Sequence, residues 1–437
     1  MAAASIKTDI AIVGAGVIGL AIAFRLAAAG RAVVVVDPND PGSGASYGNA
    51  GAIAPYGCAP IGNPDVLRNL PHLLLGSESP FAMRPAALPA CLPWLLRFLS
   101  QSAPSQARRN GHALHRLLRE AAQTWRDLAV QADVSDLIRD EGCLYIYRRK
   151  PPPKNGDWAS RLRDELGVKQ EWLTSEDVAR LEPALPRMAG GLFFPDAAHI
   201  VDPPALTRRL ATAARSHGAS FQRAHVERIE PLASRAFRLG SRNLAIEAQK
   251  VVLAAGAWSR TLARHVGDEV PLDTERGYHL EYAMDVCPIK RPVSPIDLGF
   301  YITPMAGRLR IAGTVELGGL AAPLNPSRTM LLERGVHKLF PDLGAPQAQW
   351  LGFRPSLPDS LPVIGPSRNH PGLIHAFGHG HLGMTLAAVT SLIVAGLVER
   401  GNGGWDLSPF RVDRFSWGSG QVLPDNRNSK NPPPPDP

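Results

Sequence analysis

The stretch Asp9-Ile-Ala-Ile-Val-Gly-Ala-Gly-Val-Ile-Gly19 is a short apolar run that ends in three spaced glycines. The apolar residues before the first glycine predict a buried strand, and residues 20–29 predict a helix. A second apolar run, residues 32–36, follows the helix and leads to Asp37. Strands that are apolar throughout are typical of parallel sheets covered by helices on both faces. The sequence therefore predicts a βαβ unit that opens a doubly wound, Rossmann-like sheet.

This glycine turn has the spacing of a site that binds a dinucleotide. Gly14 allows the tight turn, Gly16 lets the backbone approach a pyrophosphate, and Gly19 lets the helix pack against the strand. The helix N-terminus then faces the phosphates, and Asp37 lies where its carboxylate accepts hydrogen bonds from an adenosine ribose. The cofactor contacts predicted here are Gly14, Ala15, Gly16, Val17, Ile18, Gly19, Asp37 and Pro38. The turn alone leaves both NAD and FAD open.

Length and composition limit the class of protein. The chain has 437 residues, 45% of them hydrophobic, which favours two joined domains with a large core. Its net charge of +8 comes from scattered Lys and Arg residues, and the aromatic content is only 6%, so nucleic acid is not a predicted partner. The four cysteines lie far apart without a CxxC pair, so neither a disulfide framework nor a metal site is predicted. A reducing cytoplasm is the simplest compartment.

Two apolar runs resemble membrane segments. Residues 10–36 contain the glycines together with Arg25 and Arg31, and no signal-peptide cleavage region follows them. Residues 386–398 fall short of the ~20 apolar residues that cross a bilayer. We therefore do not expect membrane insertion, although peripheral contact with the inner face of the cytoplasmic membrane stays open.

The rest of the chain forms a second domain and returns to the first. Residues 63–105 are rich in Leu and Pro and predict helices, within an insertion at 63–130 that either packs on the body or forms a lid or membrane-surface element. Strand-like runs between residues 277 and 313 predict an antiparallel sheet. The fold prediction is thus an α/β protein with a Rossmann-like domain of parallel strands and an antiparallel substrate domain. The predicted bounds are 1–62, 200–275 and 345–415 for the cofactor domain, 63–199 and 276–344 for the substrate domain, and 416–437 for a disordered tail.

Four further segments carry a family resemblance. The first, Pro41-Gly-Ser-Gly-Ala-Ser-Tyr-Gly-Asn-Ala-Gly-Ala-Ile53, is a run of small and polar residues which, taken alone, is also compatible with a flexible loop. The others are Ala254-Ala-Gly-Ala-Trp-Ser259, Gly352-Phe-Arg-Pro-Ser-Leu-Pro-Asp-Ser-Leu-Pro-Val-Ile-Gly365 and Gly378-His-Gly-His-Leu-Gly-Met-Thr385. Together they resemble the D-amino-acid oxidase superfamily of flavoproteins, in particular its D-amino-acid dehydrogenase and glycine oxidase branch.

The resemblance implies that the cofactor is FAD, bound without a covalent link. In such proteins the small residues after the second strand contact the flavin, and the last loop places backbone N–H groups and a helix dipole at its N1/O2 edge. The additional FAD contacts that it implies are Ser46, Asn49, Ala50, Gly51, Val226, Ala255, Gly256, Trp258, Gly380, Leu382, Gly383, Met384 and Thr385. The insertion at residues 63–105 matches the dehydrogenase branch better than the compact oxidases.

Five side chains are candidates for contact with the substrate. A planar guanidinium holds a carboxylate in bidentate fashion, so Arg354 is the predicted anchor, with a structural ion pair to Asp359 as the alternative. Tyr278 and Tyr301 lie on predicted strands and either donate hydrogen bonds to that carboxylate or only pack. His379 and His381 lie in the glycine-rich loop and either line the pocket or stabilise the loop. No side-chain base is predicted, because the flavin takes the hydride from a neutral amine.

The resemblance implies an FAD-dependent dehydrogenase that oxidises a D-amino acid, or a cyclic D-imino acid such as D-proline or D-hydroxyproline. Hydride would pass from Cα to flavin N5, giving an imino acid, and the electrons would pass to a quinone or an electron-transfer protein. Two alternatives stay open. One is an oxygen-using oxidase of glycine, sarcosine or similar amines, and the other is a flavin-binding module of RNA modification or assembly.

Overall fold

The computed structural model describes residues 4–76, 78–242, 244–401 and 404–415, so the predicted tail at 416–437 lies outside the described residues. The strands are β1 (Ala4–Val13), β2 (Val33–Asp37), β3 (Ala52–Ile53), β4 (Phe81–Met83), β5 (Ile138–Arg139), β6 (Cys143–Tyr147), β7 (Glu171–Leu173), β8 (Gly190–Phe194), β9 (Ala198–Ile200), β10 (Ser220–Arg223), β11 (Arg228–Pro231), β12 (Phe237–Gly240), β13 (Leu244–Leu253), β14 (Asp273–Ala283), β15 (Val293–Pro295), β16 (Phe300–Met305), β17 (Arg308–Leu317), β18 (Ala348–Ser356), β19 (Val363–Pro366) and β20 (Leu373–Phe377). The helices are α1 (Val17–Ala28), α2 (Pro64–Leu75), α3 (Leu88–Gln101), α4 (Pro104–Leu118), α5 (Ala121–Gln131), α6 (Trp158–Glu165), α7 (Ser175–Leu181), α8 (Pro203–Ser216), α9 (Ser259–Arg264), α10 (Pro326–His337) and α11 (Gly383–Arg400).

The first sheet brings four chain segments to one edge. Its parallel strands run in the order β10-β2-β1-β13-β20, and β11, β12 and β19 extend it in antiparallel fashion. Val13 pairs with Val36 on one side and with Leu253 on the other, so these strands end level with one another. The glycine turn, Asp37 and the segments after β13 and β20 therefore meet at the carboxyl edge. The predicted Rossmann-like sheet is confirmed.

Helices α1 and α11 are buried on most sides, so their sequences are mostly apolar. Helix α1 packs against the sheet, α8 and α11, which explains why nine of its twelve residues are buried. In the described part of the chain, Gly380–Arg400 is the one helix long and apolar enough to cross a membrane, and 78% of its apolar window is buried inside the protein. Core packing therefore accounts for the apolar run that the sequence shows there.

The second sheet is mostly antiparallel, with strand order β18-β14-β17-β16-β15-β6-β8-β7 and β4 paired with β17. Strands β3, β9 and β5 form a small third sheet, in which β9 is the central strand. The predicted domain bound at residue 345 needs correction, because β18 pairs with β14 from Asp273↔Ser356 to Glu281↔Ala348. The polar backbone edge of β14 requires a partner, and residues 348–356 supply it. The chain returns to the cofactor domain only after β18.

The predicted insertion at 63–130 contains helices α2 to α5, with β4 between α2 and α3. Helix α5 packs against α11, and the buried indole Nε1 of Trp125 donates to the carbonyl of Met384 at 2.8 Å. The end of the insertion is thus fixed to the helix that follows the last glycine-rich loop.

Candidate active site

One cavity of about 860 Å³ is lined by residues of both large sheets. It runs along the carboxyl edge of the parallel strands and reaches one face of the antiparallel sheet. Nineteen of the predicted cofactor contacts line it: Gly14, Ala15, Gly16, Val17, Ile18, Asp37, Pro38, Ser46, Asn49, Ala50, Val226, Ala255, Gly256, Trp258, Gly380, Leu382, Gly383, Met384 and Thr385. A cavity of this volume matches the size range of cofactor sites in proteins.

The glycine turn leaves no room for side chains. Gly14 has a φ of +109°, and a Cβ there would lie 2.3 Å from the carbonyl oxygen of Ala254. A Cβ on Gly19 would lie 2.0 Å from the carbonyl oxygen of Gly14. Gly19 does not line the cavity, so it acts through the close packing of α1 on β1 and not through cofactor contact. The remaining surface of the turn is backbone, which is what a pyrophosphate needs.

Two side chains hold the turn in place. The Oδ2 atom of Asp37 accepts a hydrogen bond from the N–H of Ala15 at 2.8 Å, and its Oδ1 atom accepts one from the N–H of Asn39 at 2.8 Å. Burial raises the pKa of Asp37, while these two N–H groups lower it. The hydroxyl of Ser46 accepts a hydrogen bond from the N–H of Val17, the first residue of α1, at 2.9 Å.

The small-residue segment 41–53 is tied to the antiparallel sheet. The buried guanidinium of Arg310 donates to the carbonyl oxygens of Tyr47 at 3.1 Å and Asn49 at 2.6 Å. Gly51 lies between two residues of the cavity wall, Ala50 and Ala52, and is not itself part of that wall. Its φ of +74° and a Cβ that would lie 2.5 Å from the carbonyl of Ile200 show that glycine is needed for the turn itself.

The loop before α11 places both predicted histidines at the cavity. The Nε2 atom of buried His379 lies 3.0 Å from the hydroxyl of Thr390, and burial lowers the pKa of His379 to about 3. His381 lines the cavity, and the enclosure of its ring by the surrounding protein, together with the charge of Arg354, lowers its pKa to about 4. Both rings are therefore neutral near pH 7.

Arg354, on β18, lines the cavity and is the anion receptor of the site: its guanidinium can bind a negatively charged group. Its Nη1 atom donates to the carbonyl of Thr314 at 2.9 Å, which is its single hydrogen bond among the described residues. A Cβ on Gly277 would lie 2.4 Å from the guanidinium carbon, so this glycine lets the head group lie against β14. The alternative pairing with Asp359 is absent, because Asp359 accepts from Arg414 at 2.8 Å. Among the described residues, the other N–H donors of this guanidinium have no recorded hydrogen-bond partner.

Two groups that the sequence did not single out lie beside this receptor. Glu275 is the pairing partner of Arg354 across β14 and β18, is 4% exposed, and has no hydrogen-bond partner for Oε2 among the described residues. Burial raises the pKa of Glu275, and the charge of Arg354 opposes that shift. Thr314 has a φ of +56°, which is strained for a β-branched residue and directs its carbonyl towards Arg354.

The two predicted tyrosines lie in different places. Tyr301 lines the cavity, and its hydroxyl lies 2.8 Å from that of Tyr145, a cavity residue that the sequence reasoning missed. The prediction for Tyr278 is wrong, because its buried hydroxyl donates to Glu316 Oε2 at 2.5 Å, away from the cavity. Strand alternation explains the difference: Glu275 and Gly277 face the cavity, so Tyr278 faces the other side of β14.

Metal-ligating residues are scattered. Within the ranges that the structure describes, there is no group of three or more His, Cys, Asp or Glu side chains that could hold a metal ion. Each cysteine lies away from the cavity wall, and Cys58, Cys91 and Cys143 are buried elsewhere.

Comparisons with known proteins agree with this geometry. The family model described as "FAD dependent oxidoreductase" matches residues 9–397. The chain is 34% identical over 415 residues to a D-amino-acid oxidase of Bradyrhizobium diazoefficiens, covering 93% of this chain and 98% of that protein. It is 33% identical over 402 residues to a D-amino acid dehydrogenase of Methylobacterium nodulans, with 89% and 94% covered. The fold is similar to glycine oxidase from Geobacillus kaustophilus, with a TM-score of 0.73, 26% identity, and 94% of this chain and 100% of that one covered.

Proposed function

The chain belongs to the family of FAD-dependent oxidoreductases, and from this premise we propose that it is a dehydrogenase of D-amino acids. The observation that carries the proposal is Arg354, whose guanidinium has one hydrogen-bond partner among the described residues and lies in the same cavity as the dinucleotide turn. A substrate carboxylate satisfies the free donors of such a group, and the cofactor beside it completes an amino-acid oxidising site. The names of the relatives support the same activity.

The residues present fit FAD. Gly14 and Gly16 present backbone to the cavity at the turn, where a pyrophosphate would bind, and Asp37 on the cavity wall would accept hydrogen bonds from the adenosine ribose. The position of the cysteines away from the cavity wall supports non-covalent binding. When bound, FAD would supply the acceptor for a two-electron oxidation of the substrate.

The protein itself orients the substrate and controls its charge. Arg354 binds the carboxylate, and the Tyr301 hydroxyl provides a further donor on the same wall of the cavity. The two loop histidines remain neutral near pH 7 and so add no positive charge beside a substrate whose amine must lose its proton. The apolar residues of the loop, such as Leu382 and Met384, limit access of water to the reacting carbon.

The proposal extends to cyclic D-imino acids such as D-proline and D-hydroxyproline, which carry the same carboxylate and a secondary amine. The second candidate is an oxygen-using amine oxidase, favoured by the relative that is named D-amino-acid oxidase and by the fold of glycine oxidase. The two functions share every residue discussed above. They differ in the electron acceptor, and the oxidase alternative also covers glycine, sarcosine and similar amines.

A quinone acceptor implies contact with a membrane, and helix α3 offers a surface for it. Its exposed leucines lie on one face at helical spacing: Leu88 is 41% exposed, Leu92 48%, Leu96 60% and Leu99 37%. Residues 79–119 contain six arginines and no Asp or Glu. Four of these arginines pair with carboxylates, so the apolar face supports the proposal more than the charge does.

Anaerobic titration of the purified holoenzyme tests the function. We expect D-amino acids or D-proline derivatives to bleach the flavin absorbance, and L-alanine to leave it unchanged. Reoxidation by a soluble quinone analogue but not by oxygen supports the dehydrogenase, whereas stoichiometric hydrogen peroxide supports the oxidase. The proposal fails if the protein retains no FAD, or if none of the D-amino acids, D-imino acids or N-methyl amino acids reduces it.

Flotation with vesicles of phosphatidylcholine and phosphatidylglycerol tests the membrane contact. Wild type is expected to float with the vesicles, and Leu92→Asp/Leu96→Asp is expected to remain in solution with its FAD and its activity towards the soluble quinone analogue intact. Equal flotation of both proteins would contradict the assignment of this face.

A further inference from the structure

A buried carboxyl group, that of Glu275, lies beside the anion receptor. Glu275 on β14 is the pairing partner of Arg354 on β18, and both residues line the cavity. Directly opposite residues of antiparallel strands that share a face have Cβ atoms about 4.5–5.5 Å apart. Glu275 is 4% exposed, and its Oε2 atom has no hydrogen-bond partner among the described residues. The carboxyl group is therefore close to the guanidinium without being fully paired.

The guanidinium of Arg354 makes its hydrogen bond in another direction. Its Nη1 atom donates to the carbonyl of Thr314 at 2.9 Å, and its carbon would lie 2.4 Å from a Cβ on Gly277. A bulge supplies this partner, because the register of β14 and β17 shifts at Gly277, which faces both Thr314 and Val315. Bulges redirect backbone groups out of the strand ladder. Arg354 thus donates to a neutral group, and Glu275 interacts with it through charge.

Burial and charge act on Glu275 in opposite directions. Burial is the largest influence and raises the pKa of its carboxyl group. The charge of Arg354 and the hydroxyl of Ser356, both on β18, lower that pKa, whereas the charge of Asp273 on β14 raises it. Arg354 supplies the positive charge in this balance. Anything that neutralises Arg354 therefore leaves Glu275 in surroundings that disfavour its ionised form.

Other ionisable groups near this pair contribute little charge to it. Arg276, the next residue of β14, faces the opposite side of the strand, where its Nε atom lies 2.8 Å from Glu316. Burial and the charge of Arg354 lower the pKa of His381, in the loop before α11, to about 4, so its ring is neutral near pH 7. Burial raises the pKa of Cys91, on α3, to about 11, so its thiol is neutral as well.

A bound carboxylate changes the charge balance of the site. Before binding, an ionised Glu275 and the guanidinium of Arg354 cancel. The reactive form of an amino acid carries a carboxylate and a neutral amine, so its binding adds one negative charge. Two carboxylates that share one cation in a site shielded from water cannot both stay ionised without a large cost. The substrate carboxylate receives the hydrogen bonds of the guanidinium, so Glu275 is the group left to be neutralised.

We propose that Glu275 is a positioning residue for the substrate carboxylate, acting through Arg354: it takes up one proton when the carboxylate binds and so leaves the guanidinium to the substrate. The proton comes from the solvent and binds to the Glu275 carboxylate, so the site has no net charge before and after binding. This inference rests on the proposed function, because it assumes that Arg354 binds a carboxylate. It goes beyond that function by making substrate affinity depend on a second buried residue and on pH.

This proton makes the affinity for carboxylates fall as pH rises. Below the pKa of Glu275 in the free enzyme, its carboxyl group is already protonated, and Kd is at its lowest. Above that pKa, binding takes up a proton, so Kd rises by up to about tenfold per pH unit. The rise ends at the pKa of Glu275 in the complex, which the bound carboxylate has raised. Glutamine has the shape of the protonated form, so Glu275→Gln should keep the lowest Kd throughout.

Benzoate titrations of the purified holoenzyme from about pH 5.5 to 8.5, where carboxylic acids of ordinary pKa are ionised, test the proposal. Benzoate is a carboxylate without an oxidisable Cα–N bond, and its binding is read from the perturbed flavin absorbance. Calorimetry in two buffers with different ionisation enthalpies counts the protons that binding takes up. The matched control is Glu227→Gln, which removes an exposed carboxylate from the wall of the same cavity, where it pairs with Arg242 at 3.4 Å.

For wild type we expect the benzoate Kd to rise about tenfold or more across this range, with close to one proton taken up where the rise is steepest. The Kd of Glu275→Gln should change less than about twofold and involve no proton, so at the upper end this variant binds about tenfold more tightly than wild type. Damage to the fold would weaken binding, so a gain separates the two explanations. Glu227→Gln should keep the pH dependence of wild type. FAD content and the unfolding temperature show whether each variant is folded.

Three results would overturn the inference. The first is a wild-type Kd that does not change with pH and involves no proton, which needs no variant to be observed. The second is a pH dependence that Glu275→Gln retains, since the titrating group would then lie elsewhere. The third is weaker binding by Glu275→Gln at every pH. Failure of the proposed function is distinguishable, because wild type would then neither bind benzoate at any pH nor be reduced by a D-amino acid, and both proposals would fall together.

Discussion

Replacing Arg354 by leucine gives the most direct test of how the cavity binds its substrate. Within the described part of the chain the guanidinium makes one hydrogen bond, to the Thr314 carbonyl at 2.9 Å, so the variant leaves that carbonyl without its donor. Leucine keeps most of the apolar volume of the side chain. The main loss is therefore the positive charge and the paired donors that face the cavity.

The magnitude follows from the position of the group. Truncating one partner of a hydrogen-bonded charge pair in a site shielded from water costs about 2–5 kcal/mol, and a value of about 3 kcal/mol lowers kcat/KM about 150-fold. The lysine variant keeps the charge but loses the planar fork, so we expect it to fall in between, about tenfold below wild type. Glu275 adds to the effect of leucine, because the buried carboxyl loses the one positive charge that lowers its pKa.

The assay is anaerobic flavin reduction by D-alanine, followed at several substrate concentrations. Arg411→Leu is the matched control, since it removes an exposed arginine that pairs with Asp413 far from the cavity wall. FAD content must equal that of wild type in every variant compared. If Arg354→Leu retains kcat/KM within threefold of wild type, Arg354 is not the carboxylate anchor and the reasoning about the site is refuted.

Three further predictions concern the cofactor turn and the titrating groups. Gly14→Ala is expected to be purified without FAD, measured by absorbance at 450 nm, because its Cβ would lie 2.3 Å from a backbone oxygen; full FAD content would contradict the steric argument. Burial raises the pKa of Glu275 above its usual 4.5, so the fold loses stability as pH rises from that value towards the pKa in the folded protein, and the unfolding temperature of Glu275→Gln should rise relative to wild type as pH increases above 4.5; a pH-independent difference would refute this. The pKa of His381 is lowered to about 4, so His381→Gln should leave the shape of the pH profile of kcat/KM unchanged above about pH 5.5; loss of an inflection near neutral pH would show that this ring titrates in catalysis.

The parts of the site that sequence reasoning found are those where the chemistry is local. A glycine turn between an apolar strand and a helix restricts its own geometry, so Gly14 and Gly16 could be assigned without knowledge of the fold. The same reasoning is less decisive at Gly51, because a small residue is needed equally for close approach to a ligand and for a turn. Its neighbour Ala50 lines the cavity, and only the three-dimensional structure distinguishes the two roles.

The side chains of the antiparallel sheet could not be assigned in the same way. Strand β14 is buried on both faces, so its sequence shows no alternation from which the cavity face could be read. The sequence therefore predicts Tyr278 as a substrate contact, whereas Glu275 is the residue that lies on the cavity face of β14. The sequence predicts the strand that carries Tyr145 but not its contact with Tyr301. That contact depends on β15, which pairs with β6 on one side and with β16 on the other.

One buried arginine, Arg310, connects the antiparallel sheet to segment 41–53 of the cavity wall. Arg310 on β17 pairs with Glu281 at 2.6 Å and donates to the backbone of segment 41–53, so the antiparallel sheet holds the segment that faces the cofactor. Arg354 is fixed to the same strand through Thr314. Arg354 and segment 41–53 are thus both held by hydrogen bonds to residues of β17. In the proposed function, β17 therefore fixes the carboxylate anchor relative to the predicted cofactor segment.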